Sequence, residues 1–120
     1  MSTGNLDEKF ALFREHWQPK VVASPNGQEV KVAKILGEFP WHAHADADEL
    51  FLCWRDRFRL EFRDRVVEMG PGDYCLVPRG IEHRPVADAE AEILLFEPAG
   101  VRNTGDVEDP AYTAPQGVKL

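Results

Sequence analysis

The pattern of apolar and polar positions changes once along the chain, from a helical period to a strand-like one. Near the N-terminus Leu6, Phe10 and Phe13 recur at helical spacing and predict a helix that runs to about His16. Asn5 is the expected N-cap, because acidic residues follow it in what would be the first turn. This helix is expected to lie across the outside of the rest of the fold.

After this segment the pattern is that of short strands separated by turns. Phe58, Leu60 and Phe62 alternate with charged residues, which is typical of a strand with one face in water. The stretch from Glu49 to Trp54 is apolar almost throughout, which predicts cover on both faces. Further strands are predicted at 30–36, 66–69, 74–77 and 91–97.

Many short strands joined by turns that contain glycine or proline predict an all-β sandwich or barrel and disfavour alternating α/β units. We divide the chain into an N-terminal helical segment at 1–17, a β-barrel domain at 18–98 and an extended C-terminal tail at 99–120. The tail is rich in Gly, Pro and polar residues, so we expect it to be extended or partly disordered, or to pack along a partner subunit.

Composition narrows the class of protein. A chain of 120 residues that is 43% hydrophobic can fill one core. With 21 acidic and 14 basic residues and a net charge of -7, it offers no basic stripe for nucleic acid. The N-terminus lacks a signal-peptide pattern, and no apolar run approaches the roughly 20 residues that span a bilayer. We expect a cytoplasmic protein without a nucleic-acid or membrane partner, with Cys53 and Cys75 as free thiols.

Three histidines and one glutamate carry the candidate chemistry. His42 and His44 are two residues apart, so on a strand both side chains point the same way, roughly 6.6–7 Å apart along the backbone. Glu49 begins the apolar strand, where a hairpin would return its carboxylate to the two imidazoles. His83 follows a distant turn at 78–80. This borderline-hard donor set suits Fe(II), Mn(II), Ni(II), Zn(II) or Cu(II).

The spacing of these residues resembles the first motif of the cupin superfamily. That motif is a glycine, five residues, His-x-His, three or four residues, Glu, six residues and a glycine. His42, His44 and Glu49 fall at this spacing, whereas Gly37 lies one residue too close and Asp56 replaces the closing glycine. Asp56 is therefore expected in a turn with positive φ, which Asp tolerates better than most residues.

The second cupin motif is a glycine, five residues, Pro-x-Gly, two residues, His, three residues and Asn. Gly72, Pro78, Gly80 and His83 match it, and Ala87 stands where the family has asparagine. Ala87 has no amide, so any hydrogen bond made by the family's asparagine is absent, but neither departure touches a metal-ligand position.

The resemblance implies a jelly-roll barrel, also called a double-stranded β-helix, and it implies a metal centre. One divalent transition metal ion (Fe, Mn, Zn or Ni) would be held by His42, His44, Glu49 and His83. Short stand-alone chains of this kind resemble the mannose-6-phosphate-isomerase-like group. Four protein ligands would leave one or two positions for water or substrate, unlike a closed structural zinc site.

The resemblance leaves two classes of function open. The first is a metal-dependent enzyme, a dioxygenase or an isomerase or lyase, acting on a small organic metabolite; the fold itself does not select the reaction. Inward positions look apolar and lack the Lys and Arg of a phosphosugar pocket, which favours a partly apolar acid or ketone. The alternative is a non-catalytic module that holds metal and senses or stores a small molecule. The apolar strand at 50–54 favours a homodimer.

Other residues receive lesser predicted roles. Phe51 is expected in the core or as a wall of the pocket, and Tyr74 and Phe96 are core candidates that could reach it. Asp46 and Asp48 are expected to be solvated loop acids, with a metal-supporting contact to an imidazole N–H as the alternative.

Overall fold

The computed structural model describes all 120 residues and contains one short helix and seven strands. Helix α1 spans Leu6–Phe10, and the strands are β1 Lys20–Ala23, β2 Gln28–Glu38, β3 Glu49–Arg55, β4 Phe58–Phe62, β5 Val66–Met69, β6 Tyr74–Val77 and β7 His83–Pro98. None of its helices combines the length and the apolar character that crossing a membrane requires.

The strands pair antiparallel and form one sheet that folds over on itself. The main strand order is β1-β2-β7-β3-β6, and β4 pairs both with β5 and with the beginning of β7. Strand β7 therefore belongs to both halves: His83 lies opposite Phe62 on β4, whereas Phe96 lies opposite Leu50 on β3. This topology is the jelly-roll barrel of the prediction, so the all-β fold class is confirmed.

Strand β7 is more than twice as long as predicted. The sequence indicated a strand from Ala91, but the strand begins at His83. Residues 88–90 are exposed and charged or small, and the register with β2 shifts there, from Ile35 opposite Ala91 to Gly37 opposite Ala87. The strand bends at this irregularity, and a pattern read from apolar runs ends at the bend.

Apolar side chains fill most of the barrel interior. Leu60 and Cys53 are fully buried there, as expected for inward positions of the β3 and β4 strands. The turn after β3 closes at Asp56 with φ of 65°, which confirms the positive φ expected where the cupin motif has glycine. Cys53 and Cys75 are both free thiols, as predicted.

The N-terminal segment covers part of the outer face, but its helix is short. The Asn5 side chain accepts a hydrogen bond from the Glu8 amide at 3.0 Å, which confirms the cap. The helix ends at Phe10, so its predicted extension to His16 is wrong. The reason is tertiary: His16 forms a bridge to Lys34 on β2, which requires extended backbone at the end of the segment.

Phe10 anchors this segment to the outside of the sheet. It is 1% exposed and packs with Phe13, Val32 and Leu94. Leu52 on β3 packs against the same cluster, so part of the second apolar face of β3 is covered within the chain.

Two aromatic residues predicted for the core lie elsewhere. Tyr74 is 73% exposed, because it lies opposite Leu52 on the outer face of the sheet, so its core assignment is wrong. Phe96 packs at the edge of the outer Phe10 cluster and does not line the barrel interior.

The C-terminal tail folds back on its own barrel in a series of turns. The Val21 amide donates to the Val118 carbonyl at 2.7 Å, and the Leu120 amide donates to the Val21 carbonyl at 3.2 Å. Thr104 in the middle of the tail is completely buried. The tail therefore packs against its own chain, where the sequence had left it extended, partly disordered or on a partner.

We predict that Phe10→Ala destabilises the protein by about 3–5 kcal/mol, because it leaves a cavity in the cluster that joins helix α1 to the sheet. The matched control is Leu12→Ala, since Leu12 is 66% exposed and surface substitutions usually change stability by less than about 0.5 kcal/mol. Urea unfolding of both variants measures the difference. A loss of unfolding free energy in Phe10→Ala as small as that in Leu12→Ala would show that the segment does not contribute to the folded core.

Candidate metal centre

His42 and His83 are held opposite each other by the backbone. The His42 amide donates to the His83 carbonyl at 3.1 Å, and the His83 amide donates to the His42 carbonyl at 2.9 Å. This reciprocal pair brings the two ring centroids to 4.4 Å. His42 and His83 are 41 positions apart in the sequence, and one antiparallel bridge places their imidazoles side by side.

His44 and Glu49 complete the group from the two ends of the connecting loop. Glu49 Oε1 lies 3.2 Å from His44 Nε2 and 3.3 Å from His83 Nε2. One ligand atom from each of His42, His44, Glu49 and His83 lies within 4.8 Å of every other, and all four residues are buried. The structure brings together all four residues that the sequence singled out.

The imidazole tautomers are set by backbone carbonyls. His42 Nδ1 lies 2.9 Å from the Pro40 carbonyl oxygen, and His83 Nδ1 lies 2.9 Å from the Ile81 carbonyl oxygen. A carbonyl oxygen only accepts, so each Nδ1 carries the proton and each neutral ring presents the Nε2 lone pair to the centre. The carbonyls therefore perform the orienting role that the sequence had offered to Asp46 or Asp48.

The inner donor atoms fit a cation. In the neutral rings, Nε2 of His83 and Oε1 of Glu49 are both lone-pair acceptors, and they face each other at 3.3 Å. His44 Nε2 is buried and has no hydrogen-bond partner. Buried acceptors without donors are costly. Two neighbouring ligand atoms of one metal, each at about 2.1 Å from it, would lie about 3.0–3.4 Å apart, which matches the distances from Glu49 Oε1 to His44 Nε2 and His83 Nε2. The residues present therefore fit a divalent metal ion.

The pKa shifts favour the ligand forms of these side chains. Burial and the neighbouring His83 lower the pKa of His42 to about 4, so this imidazole is neutral at pH 7. Burial alone would raise the pKa of Glu49, but in the metal-free site the hydrogen bonds and positive charge of His44 and His83, when these imidazoles are protonated, outweigh that effect, and the net direction is downward. A neutral imidazole and an ionised carboxylate are the forms that bind metal.

The two cupin-like motifs are joined by hydrogen bonds at residues 43–48, which we call the ligand loop. The Gly80 amide donates to the His44 carbonyl at 2.8 Å, and the Arg79 amide donates to Asp48 Oδ1 at 2.9 Å. Asp48 thus anchors the turn that precedes His83 and makes no contact with an imidazole. Asp46 is exposed.

Neighbouring residues divide between the interior and the outer surface. The Phe51 ring lies 5.8 Å from the His83 ring and lines the interior, as its position on β3 predicted. Trp41 points away from the centre and stacks under the Arg63 guanidinium at 3.9 Å. Arg84 also points outward, to Glu61 at 2.8 Å.

A small apolar cavity adjoins Glu49. Its volume is about 30 Å³, which is room for one or two water molecules. Its other lining residues are mostly apolar, and none is a lysine or an arginine: Trp17, Pro19, Ala33, Ile35, Phe39, Phe51, Pro85, Ile93, Leu95 and Asn103.

Fold, motif spacing and convergent ligands are characteristic of one family, and comparison with protein families decides the assignment. The model of the cupin domain matches residues 29–97, which is more than half of the chain and includes all four ligand positions. The chain belongs to the cupin family.

Individual cupins and related proteins resemble it. A cupin-2 domain protein from Shewanella frigidimarina NCIMB 400 is 40% identical, with a TM-score of 0.79 over 80% of this chain and 94% of that chain. Protein NMB1881 from Neisseria meningitidis is 26% identical, with a TM-score of 0.75 over 82% of this chain and 100% of that one. The uncharacterized protein YdbB of Bacillus subtilis strain 168 is 33% identical over 64 residues, only 52% of this chain and 57% of its own length. None of these names states a reaction.

This cupin also buries a polar cluster that sequence reasoning missed. Glu97 is 1% exposed, and its Oε1 lies 2.8 Å from the Lys31 ammonium, which is also 3.5 Å from Glu29. Glu97 has the inward parity of Leu95 on β7, and that alternation was the available signal. Burial and the neighbouring Glu49 raise the pKa of Glu97 to about 8, although Lys31 partly opposes the shift.

The raised pKa of Glu97 predicts a pH dependence in the metal-free protein. The folded state keeps this proton up to about pH 8, whereas the unfolded chain releases it near the ordinary glutamate pKa of 4.5, so stability falls as pH rises through this window. Above about pH 6.5 the shifted His42 contributes little, because its unfolded and folded forms are then both neutral.

We therefore expect the free energy of unfolding of wild type to decrease between about pH 6.5 and 8.5, and that of Glu97→Gln to stay nearly flat. Urea unfolding of metal-free samples at several pH values measures both curves. Glu68→Gln, which changes an exposed glutamate, is the matched control and should follow wild type. Parallel curves for wild type and Glu97→Gln would contradict the assignment.

Proposed function

We propose that this cupin is a metal-dependent enzyme that acts on a small, partly apolar organic metabolite. The observation that carries the proposal is the convergence of four buried ligand atoms, among them a His44 nitrogen without any other partner. A bound divalent transition metal would polarise an oxygen atom of the substrate or activate dioxygen beside it.

The chain's own residues would hold and orient this centre. The carbonyls of Pro40 and Ile81 fix the protons on the outer nitrogens of His42 and His83, so both inner nitrogens are available without proton release. The buried carboxylate of Glu49 supplies the negative charge that balances part of a divalent ion. The apolar walls around Glu49 exclude bulk water, which strengthens electrostatic interactions inside the site.

The substrate class follows from the lining of the interior. A phosphorylated sugar needs cationic side chains. The cavity beside Glu49 contains none, and Lys31, which is buried in the same interior, is already paired with Glu97. Apolar walls next to a metal favour a small ketone or carboxylic acid that binds through oxygen and places its carbon skeleton against Phe51 and Ile93. The reaction would be an oxygenation, an isomerisation or a lyase reaction. Membership of the mannose-6-phosphate-isomerase-like group remains a prediction.

The second candidate is a non-catalytic module that holds metal and binds a small molecule. One observation favours it: all four ligands are at most 6% exposed, and the adjoining cavity is only about 30 Å³. A closed centre suits retention of an ion, whereas turnover needs access for the substrate. Turnover measurements therefore separate the two candidates.

Metal analysis tests the ligand set. We expect about one divalent metal ion per chain in the purified, untagged protein, and a large loss of metal in His83→Ala and in Glu49→Ala. His16→Ala is the matched control, because it removes the one histidine outside the cluster, whose ring pairs with Glu90 at the surface. Elemental analysis gives the stoichiometry. Unchanged metal content in His83→Ala would remove that residue from the centre.

Turnover assays on the metal-loaded protein then identify the class of reaction. Oxygen consumption with a panel of small carbonyl compounds and organic acids would indicate a dioxygenase, and product formation without oxygen consumption would indicate an isomerase or lyase. Binding of a compound without turnover of any kind would favour the non-catalytic module.

We also propose a homodimer, because an apolar face of the sheet lies open at β6. Leu76 is 56% exposed beside the half-buried Leu50, Tyr74 is also exposed, and β6 ends the strand order with one free edge. Leu76→Asp should shift the protein towards monomer in analytical ultracentrifugation. Val66→Asp, at an exposed residue of β5, is the control that should stay dimeric. A monomeric wild type would exclude the dimer.

A cytoplasmic location is a further proposal, which rests on two free cysteines in a chain without a disulfide. Fractionation of the producing cells checks it.

A further inference from the structure

The interior must open for a metabolite to reach the metal centre. Metabolite pockets have volumes of about 300–1,000 Å³, whereas the cavity beside Glu49 has about 30 Å³. His83 is completely buried, and His42 is 2% exposed. Some segment that covers the ligands therefore has to move if the proposed function is correct.

The strands are poor candidates for this motion. The ligand-bearing strands β3 and β7 pair with each other and with further strands on their other edges, so moving either would break several backbone hydrogen bonds together. Residues 101–114, which we call the strap, contain no strand and lie against the ligand residues. Segments with few ladder hydrogen bonds open at the lowest free energy.

The strap meets the site at Ala43, the residue between His42 and His44. The Asp106 amide donates to the Ala43 carbonyl at 3.0 Å, and the Ala43 amide donates to Asp106 Oδ1 at 3.0 Å. Gly105 packs so closely that a Cβ there would collide with the Ala43 carbonyl oxygen and crowd the His42 ring. This pair of hydrogen bonds latches the strap directly onto the backbone that positions two ligands.

Aromatic contacts and a hydrogen bond also join the strap to the site. Tyr112 on the strap meets Phe39 edge-on, with ring centroids 5.5 Å apart, and Phe39 in turn meets His42 edge-on at 5.2 Å. The strap side chain Asn103 donates to the Trp17 carbonyl at 3.3 Å. Trp17, Phe39 and Asn103 all line the cavity beside Glu49, so the strap forms part of the cavity wall.

The internal bonding of the strap lets it move as a unit. Thr104 and Thr113 hydroxyls lie 2.7 Å apart, and Asn103 joins the Tyr112 carbonyl and the Ala114 amide at 2.8 and 2.9 Å. Its two ends are fixed outside the site, because the Ala99 amide donates to the Gly27 carbonyl and the Leu120 amide to the Val21 carbonyl. A cross-braced loop with fixed ends can lift without unfolding.

A cleft of about 260 Å³ lies between the strap and the ligand loop. Its walls are His44, Ala45, Asp46 and Ala47 on one side and Val101, Arg102, Gly105 and Asp106 on the other. Asp106 is exposed there, so water can compete for its hydrogen bonds to Ala43. Lifting the strap would join this cleft to the interior and give a volume that accommodates a small metabolite.

We propose that residues 101–114 are a gate for the metal centre, with Asp106 as its latch and the cleft beside His44 as the approach. The proposal rests on the proposed function for the reason to open, but the motion itself can be measured without metal. Asp106 acts through Ala43 and is a positioning residue.

The first experiment measures release of Zn²⁺ from the loaded full-length protein to a chromogenic chelator. Asp106→Ala should keep the zinc stoichiometry and release zinc about tenfold faster, the factor expected for one lost hydrogen bond. Asp106→Asn keeps an acceptor and should release at nearly the wild-type rate. Glu108→Ala is the control on the same segment, since Glu108 faces solvent and contacts only Arg102.

Equal release rates in wild type and Asp106→Ala overturn the proposal. So does a complete loss of zinc from Asp106→Ala, because Asp106 would then support the ligands and not a gate. A wild type that binds no zinc would remove the proposed function without deciding the motion.

Native-state hydrogen exchange on the metal-free wild type decides the motion independently. The amides of Ala43 and Asp106, whose hydrogen bonds join the strap to the site, should exchange through openings that leave β3 and β7 protected. Exchange of these amides only together with β7, at the free energy of global unfolding, would show that the strap does not open by itself and would overturn the proposal.

Discussion

The structure depends on the antiparallel bridge between His42 and His83. Its two backbone hydrogen bonds, at 3.1 and 2.9 Å, join the loop before β3 to the first residue of β7. Because β7 continues from this point through both halves of the sheet, the same bridge fixes the sheet and the site. A shift of one residue in register would reverse the side on which an imidazole lies, so strand pairing fixes the geometry of the centre.

Burial of the polar side chains of the centre costs free energy of folding, which the apolar packing of the barrel offsets. Four ligand side chains and the cluster of Glu29, Lys31 and Glu97 are buried in one interior, and buried polar groups without partners destabilise a protein. The Lys31–Glu97 contact at 2.8 Å gives two of these buried groups a partner. A bound cation would satisfy His44 and Glu49, and metal binding would then add to the stability of the folded protein.

Closure and access are opposing requirements at such a site. Apolar walls and the strap shield the ligand atoms from water, which strengthens their interaction with an ion. The same shielding excludes any metabolite from a cavity of about 30 Å³. The strap contains no strand, so it can open while the hydrogen bonds between strands that align the ligands remain intact. Closure and access are thereby both possible.

The sequence by itself determined the fold class, strands β2 to β6 and the four convergent residues, since alternation and motif spacing are local properties. It also determined the Asp56 turn, where φ is 65°. Tertiary structure alone decided strand β1, the start of β7 at His83, the end of helix α1 at Phe10, the outward position of Tyr74 and the strap over Ala43. Each of these depends on which distant segment packs against a residue, and burial and pairing between distant segments leave no period in the local pattern.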